Sequence, residues 1–152
     1  MVMEASDVAL EVRSSVTVQL PRDEAFRLFT EGISRWWPLA THSVFDADAT
    51  NVTMEPRVGG RLYEASADGR TSDWGVVTVW QPVERVAVTW HPGYEEALAT
   101  LVEVSFSDAP GGGTLVDLRH TGWEVHGTEA REGAAGYQEG WPIVLEFFVK
   151  AA

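Results

Sequence analysis

Cysteine is absent from the 152 residues, which excludes disulfides and thiolate chemistry. That absence suits a reducing compartment, and the cytoplasm is the expected location. Positive charge is scarce: 11 Lys and Arg face 23 Asp and Glu, for a net charge of −12, and Lys150 is the single lysine. Nucleic-acid binding needs a basic footprint, and none exists here. Anionic membrane surfaces are disfavoured for the same reason. No apolar run approaches the ~18 residues of a membrane span, so no membrane partner is expected. The first residues, Met1 to Asp7, are acidic and lack the basic-then-apolar pattern of a signal segment.

Catalytic and ligating motifs are missing as well. There is no Gly-x-Ser-x-Gly nucleophile elbow. Gly59-Gly60 and Gly111-Gly112-Gly113 lack the Lys-Ser/Thr of a phosphate loop. His42, His91, His120 and His126 show no His-x-x-x-His spacing, so no metal site is expected. Glu95-Glu96 pairs two carboxylates, but beside Pro92-Gly93 it reads as a solvated loop. Nothing calls for a cofactor.

What is present is an ordinary apolar fraction of 45% with an unusual seven tryptophans, spread from Trp36 to Trp141. The length fits one domain, 1–152, with enough chain for a real core. Residues 8–20 alternate apolar and polar, the period of a half-buried strand. Pro21 stops it. Asp23 and Glu24 then sit where a helix dipole favours them, and Ala25, Phe26, Leu28, Phe29 and Ile33 continue at helical spacing. Gly32 divides this stretch into two short helices, the second carrying Trp36 and Trp37 and ending before Pro38. Residues 38–50 read as a loop. Six more strands follow: 51–54, 61–65, 74–81, 85–91, one around Val102 to Phe106, and 114–121. Their links are short, so the sheet is antiparallel. Without strand–helix–strand alternation, a parallel nucleotide-binding sheet is not expected.

The stretch 132–152 is the organising element. Tyr137, Trp141, Val144, Leu145 and Phe148 form one stripe about 100° wide, with Glu139, Glu146 and Lys150 opposite. This predicts a long helix laid across a curved sheet, with Pro142 inside it. The competing pattern starts the helix at Pro142 and leaves 131–141 as loop. Gly133, Gly136 and Gly140 share one flank, where another backbone could approach closely. The fold class is therefore α+β: about seven antiparallel strands, two short helices and a long final helix.

Several motifs in order carry a family resemblance. They are Glu55-Pro56-Arg57-Val58-Gly59-Gly60-Arg61, then Trp74-Gly75-Val76-Val77, Trp80-Gln81-Pro82 and Val88-Thr89-Trp90. The last is Gly140-Trp141-Pro142-Ile143-Val144-Leu145. Over roughly 10–150 the chain resembles the Hsp90-ATPase-activator-homologue (AHSA1-like) family of the START-like, SRPBCC or Bet v 1-like superfamily. The resemblance implies a helix-grip fold, in which the sheet grips the last helix. It also implies a cavity for lipids, hormones or polyketides, or an Hsp90 or other protein partner.

Function is sought between helix and sheet. The expected ligand is small and apolar or amphipathic. Trp74, Val88, Trp90, Val102, Val104, Leu118, Tyr137, Trp141 and Leu145 would form the walls. His120 lies on the inward parity of its strand and would be the polar anchor, or an acid or base in a cyclase or hydrolase. The alternative for His120 is a core histidine satisfied by its neighbours. Trp80 joins the aromatic candidates, each of which could equally fill the core. Glu55, Arg57 and Arg61 could rim a pocket, but charged residues at a turn more simply face solvent. In the ligand-binding reading, Val104→Trp should block uptake and leave the fold intact.

Overall fold

The structure is a computed structural model that describes residues 10–152. The expected start of the first strand, at Val8, lies outside the described residues. The strand itself, β1, spans Val12–Val18. Helix α1 follows at Arg22–Phe29, with Asp23 and Glu24 in its first turn and Ala25, Phe26, Leu28 and Phe29 buried. The second expected helix is a single 3-10 turn, Ile33–Arg35. The loop after it runs over His42, Ser43 and Val44 into β2, Ala49–Met54. Then come β3 (Arg61–Ser66), β4 (Thr71–Gln81), β5 (Arg85–Trp90), β6 (Thr100–Asp108) and β7 (Thr114–Thr121). Turns of 3-10 type at Trp123–Glu129 lead into helix α2, Ala130–Ala151.

The seven strands are ordered β1-β7-β6-β5-β4-β3-β2, and every pair is antiparallel. Consecutive strands from β2 to β7 are neighbours. Only the path from β1 to β2 crosses from one edge to the other, and it carries α1 and the 3-10 turn across one end of the sheet. The sheet bends at β4, whose first half pairs with β3 and whose second half pairs with β5. Register shifts at Leu62/Tyr63 and Val77/Val79 mark the bend. Gly75 sits there out of necessity: a Cβ on it would lie 1.7 Å from the Thr89 carbonyl oxygen.

Helix α2 is continuous through Pro142, so the pattern that starts at Pro142 is not the one adopted. Trp141, Val144, Leu145 and Phe148 are buried and Tyr137 is half-buried, while Glu139, Glu146 and Lys150 are exposed. The helix also guards an open sheet edge. The Gln138 amide donates to the Arg13 carbonyl at 2.9 Å and accepts from the Arg13 N–H at 3.4 Å, occupying part of the outer ladder of β1.

The core has two chemically distinct ends. Under α1, Phe26, Phe29, Trp36, Phe106 and Phe148 pack mostly edge-on, with Phe29 and Trp36 tilted, at centroid separations of 5.1–5.8 Å. Trp80 belongs to this end, 5.1 Å from Phe26. Under the first half of α2 lie Trp37, Trp74, Trp90 and Trp141, whose ring centroids are 5.1–5.9 Å apart. The second end is incompletely filled.

Candidate functional site

A cavity of about 610 Å³ opens between the first half of α2, the loop 42–44 and the end of β5. Its floor is Trp37, Trp74, Trp90, Trp141 and Val144, all buried. Its mouth carries exposed Gly93, Glu132 and Gly136. Gly133, Gly136 and Gly140 line the helix side. A Cβ on Gly136 or Gly140 would meet nothing within 4 Å, so these glycines leave space rather than admit another backbone. Gly133 differs, since its Cβ would lie 3.1 Å from the Trp123 ring. A second cavity of about 120 Å³ adjoins the first and shares Trp90, Pro92, Glu132, Gly133 and Tyr137 with it. It adds His91, Tyr94, His126 and Glu129 to the walls.

The structure divides the nine expected wall residues. Trp74, Trp90, Tyr137 and Trp141 face the large cavity. Val88, Val102 and Val104 instead border a separate void of only about 20 Å³, deeper in the core. Leu118 and Leu145 are fully buried and line neither space. The reason is geometric. Inward parity brings a side chain to the concave face, but the part of α2 from Trp141 onward fills most of that face. Only the half carrying the glycines stands clear.

His120 is 0% exposed and is not at the cavity wall. Trp141 Nε1 donates to its Nδ1 at 3.1 Å, so the ring proton sits on Nε2. From there it donates to Thr100 Oγ1 at 2.6 Å, and that hydroxyl donates to the Trp90 carbonyl at 3.1 Å. Burial, with a smaller contribution from nearby His126, pushes the imidazole from 6.5 down to about 3. It is neutral, and both nitrogens are taken. An acid, base or ligand anchor needs a free nitrogen, so His120 is the satisfied core histidine.

Sequence reasoning missed Glu64. It is 0% exposed on β3, and its carboxylate accepts three N–H groups. Oε1 takes Val44 N at 2.6 Å and Trp74 Nε1 at 2.7 Å, and Oε2 takes Phe45 N at 3.0 Å. It thus ties the loop that walls the cavity to an indole on the cavity floor. Trp37 adds a tie from below, donating Nε1 to the His42 carbonyl at 2.7 Å. A signal was present: Glu64 alternates with Leu62 and Ser66 on the buried parity of β3.

Glu55, Arg57 and Arg61 stand away from the cavity. Glu55 Oε1 accepts the Arg61 N–H at 2.7 Å and shapes the turn between β2 and β3, while Arg61 pairs with Asp73 at 2.6 Å on the surface. No helix among the described residues is long and apolar enough to cross a membrane.

A seven-stranded antiparallel sheet curled around a long last helix, with space left between them, defines a helix-grip protein. The sequence profile described as "Activator of Hsp90 ATPase homolog 1-like protein" matches residues 19–152, and the chain belongs to that family. No curated protein matches the sequence. Among solved structures, an anthrahydroquino-γ-pyrone synthase, Txn09, is 33% identical with a TM-score of 0.56, over 80% of this chain and 82% of that one. The Aha1 dimer of Colwellia psychrerythraea is 17% identical with a TM-score of 0.67, over 93% and 94% of the two chains. CalU16 of Micromonospora echinospora is 22% identical with a TM-score of 0.58, over 91% of this chain and 74% of that one.

Proposed function

We propose that the protein binds a flat, mostly aromatic small molecule in the cavity between α2 and the sheet. The observation that carries the reading is the pairing of four tryptophans on the floor with two glycines on the helix that face open space. Mid-helix glycine costs about 0.8–1.0 kcal/mol relative to alanine. Two of them beside an aromatic floor keep a volume open at the expense of the helix. About 610 Å³ lies within the usual range for small-molecule pockets. Indole faces favour planar π-systems, through offset stacking or edge contacts. Similarity to a synthase named for an anthrahydroquino-γ-pyrone supports a fused-ring ligand.

Two measurements test it. Native mass spectrometry of freshly purified protein should show an added mass that is lost on denaturation. Titration with 9,10-anthraquinone should quench tryptophan fluorescence saturably. A bare mass together with no saturable quenching would remove the reading.

A second reading, that the bound molecule is also converted, is favoured by the synthase similarity. It would not use His120, whose nitrogens are occupied. An Hsp90-directed interaction draws on the family description, and a pull-down without Hsp90 enrichment over a control would count against it.

A further inference from the structure

The indole N–H groups and the Ser43 hydroxyl around the large cavity are engaged with the protein, whereas the Glu132 carboxylate at its mouth and His42 Nε2 make no hydrogen bond among the described residues. Trp37, Trp74 and Trp141 donate their indole N–H groups to the His42 carbonyl, Glu64 and His120. Trp90 Nε1 donates to Tyr137 Oη at 3.0 Å. Four indoles therefore offer a ligand their rings and not their donors. Thr100 and His120 are closed off by their mutual hydrogen bond and by Trp90 and Trp141.

Tyr137 is different. Its oxygen accepts from Trp90, but among the described residues its own O–H donates to no acceptor. The Trp90 bond fixes the oxygen, and the phenol proton must then point elsewhere. Tyr137 also stands where the two cavities meet, since it lines both. Burial raises its pKa above the usual 10, with the Trp90 bond a smaller opposing effect, so the hydroxyl keeps its proton.

We infer that Tyr137 is the hydrogen-bond donor that selects the ligand, and that the ligand is a planar polycycle with a carbonyl oxygen at its edge, as in a quinone or pyrone. The inference rests on the cavity reading proposed above. The rings lie among the tryptophans, the carbonyl accepts from Tyr137 Oη, and substituents next to the carbonyl reach the smaller, more polar cavity.

The test compares 9,10-anthraquinone with anthracene, which has the same three-ring outline without carbonyls, by tryptophan quenching in wild type and Tyr137→Phe. Wild type should bind the quinone more tightly. The variant should lose about tenfold on the quinone and nothing on anthracene. Equal affinities of wild type and variant for the quinone would overturn the donor assignment while leaving the cavity reading standing. Uptake of neither probe by wild type would overturn the donor assignment, and together with a bare native mass it would overturn the cavity reading as well. Should Tyr137→Phe disturb the fold, the carbonyl stretch of the quinone bound to wild type decides. A shift to lower frequency than in hydrocarbon solvent supports the hydrogen bond, and an unshifted band overturns it.

Discussion

Replacing Glu64 by glutamine keeps the shape of the side chain and exchanges one acceptor oxygen for an N–H₂ group. The amide oxygen can take over the Oε1 position, which serves Val44 N and Trp74 Nε1. The amide nitrogen then faces Phe45 N–H, donor against donor. A hydrogen bond to a charged group contributes about 1.5–3 kcal/mol, and the two that remain become neutral ones, worth about half as much. One lost bond and two weakened ones sum to about 3–6 kcal/mol, and because glutamine also relieves the desolvation of a buried charge the lower end, about 3 kcal/mol, is expected. For 152 residues that lowers Tm by roughly 10 °C. Near-ultraviolet circular dichroism should report the melt, and amide exchange should show Val44 and Phe45 losing protection ahead of the sheet. The cavity wall loosens with them, so affinity for anthraquinone should fall. A Tm within about 1 °C of wild type, with both amides still protected, would refute the view that Glu64 holds this wall.

His120 makes stability pH-dependent in a definite direction. Its folded pKa of about 3 lies below 6.5, so the unfolded chain takes up the proton first as pH falls. Stability should drop by about 1.4 kcal/mol per pH unit below 6.5 until about pH 3, and urea melts of His120→Gln should show that much less slope. Gly136→Ala and Gly140→Ala should each raise stability by up to about 1 kcal/mol, since their Cβ atoms enter open space. Gly140→Trp should abolish anthraquinone quenching with the melt preserved, and retained quenching would place the ligand elsewhere. Val104→Trp should not act as a plug, as its strand parity suggests. Val104 is 2% exposed beside a void of about 20 Å³, so overpacking should cost stability first, by about 1–3 kcal/mol or more, visible in the same melts.

Much of the fold is legible because local periodicity and burial agree. Thr100, Val102, Val104 and Phe106 are buried on one face of β6, and Thr114, Val116, Leu118 and His120 on one face of β7, as a period of two requires. The apolar stripe of α2 is legible for the same reason at its own period. The edges of elements are less so. Strand β4 begins at Thr71, where Thr71, Ser72 and Asp73 carry no apolar alternation and are held by pairing with β3. Helix α2 begins at Ala130, whose buried first turns show only alanines. Small side chains bury well but leave little hydrophobic signal, so neither start is visible without the partner element.

The site is legible in kind but not in place, and Gly136, Gly140 and His120 show why. A residue without a side chain can admit a neighbouring backbone or leave a hole. The choice depends on what lies opposite, and opposite Gly136 and Gly140 lies nothing within 4 Å. Strand parity correctly turns His120 inward, yet inward means toward Trp141 and Thr100 rather than toward space. Parity assigns a face, whereas a cavity is a property of two facing elements at once. Tyr137, which lines both cavities and has an unused donor, is distinguished by its bond to Trp90, 47 residues away. No local pattern encodes that bond. The residues to substitute first are therefore those defined by long-range contact: Tyr137 for ligand choice, Gly140 for cavity volume and Glu64 for the wall that closes it.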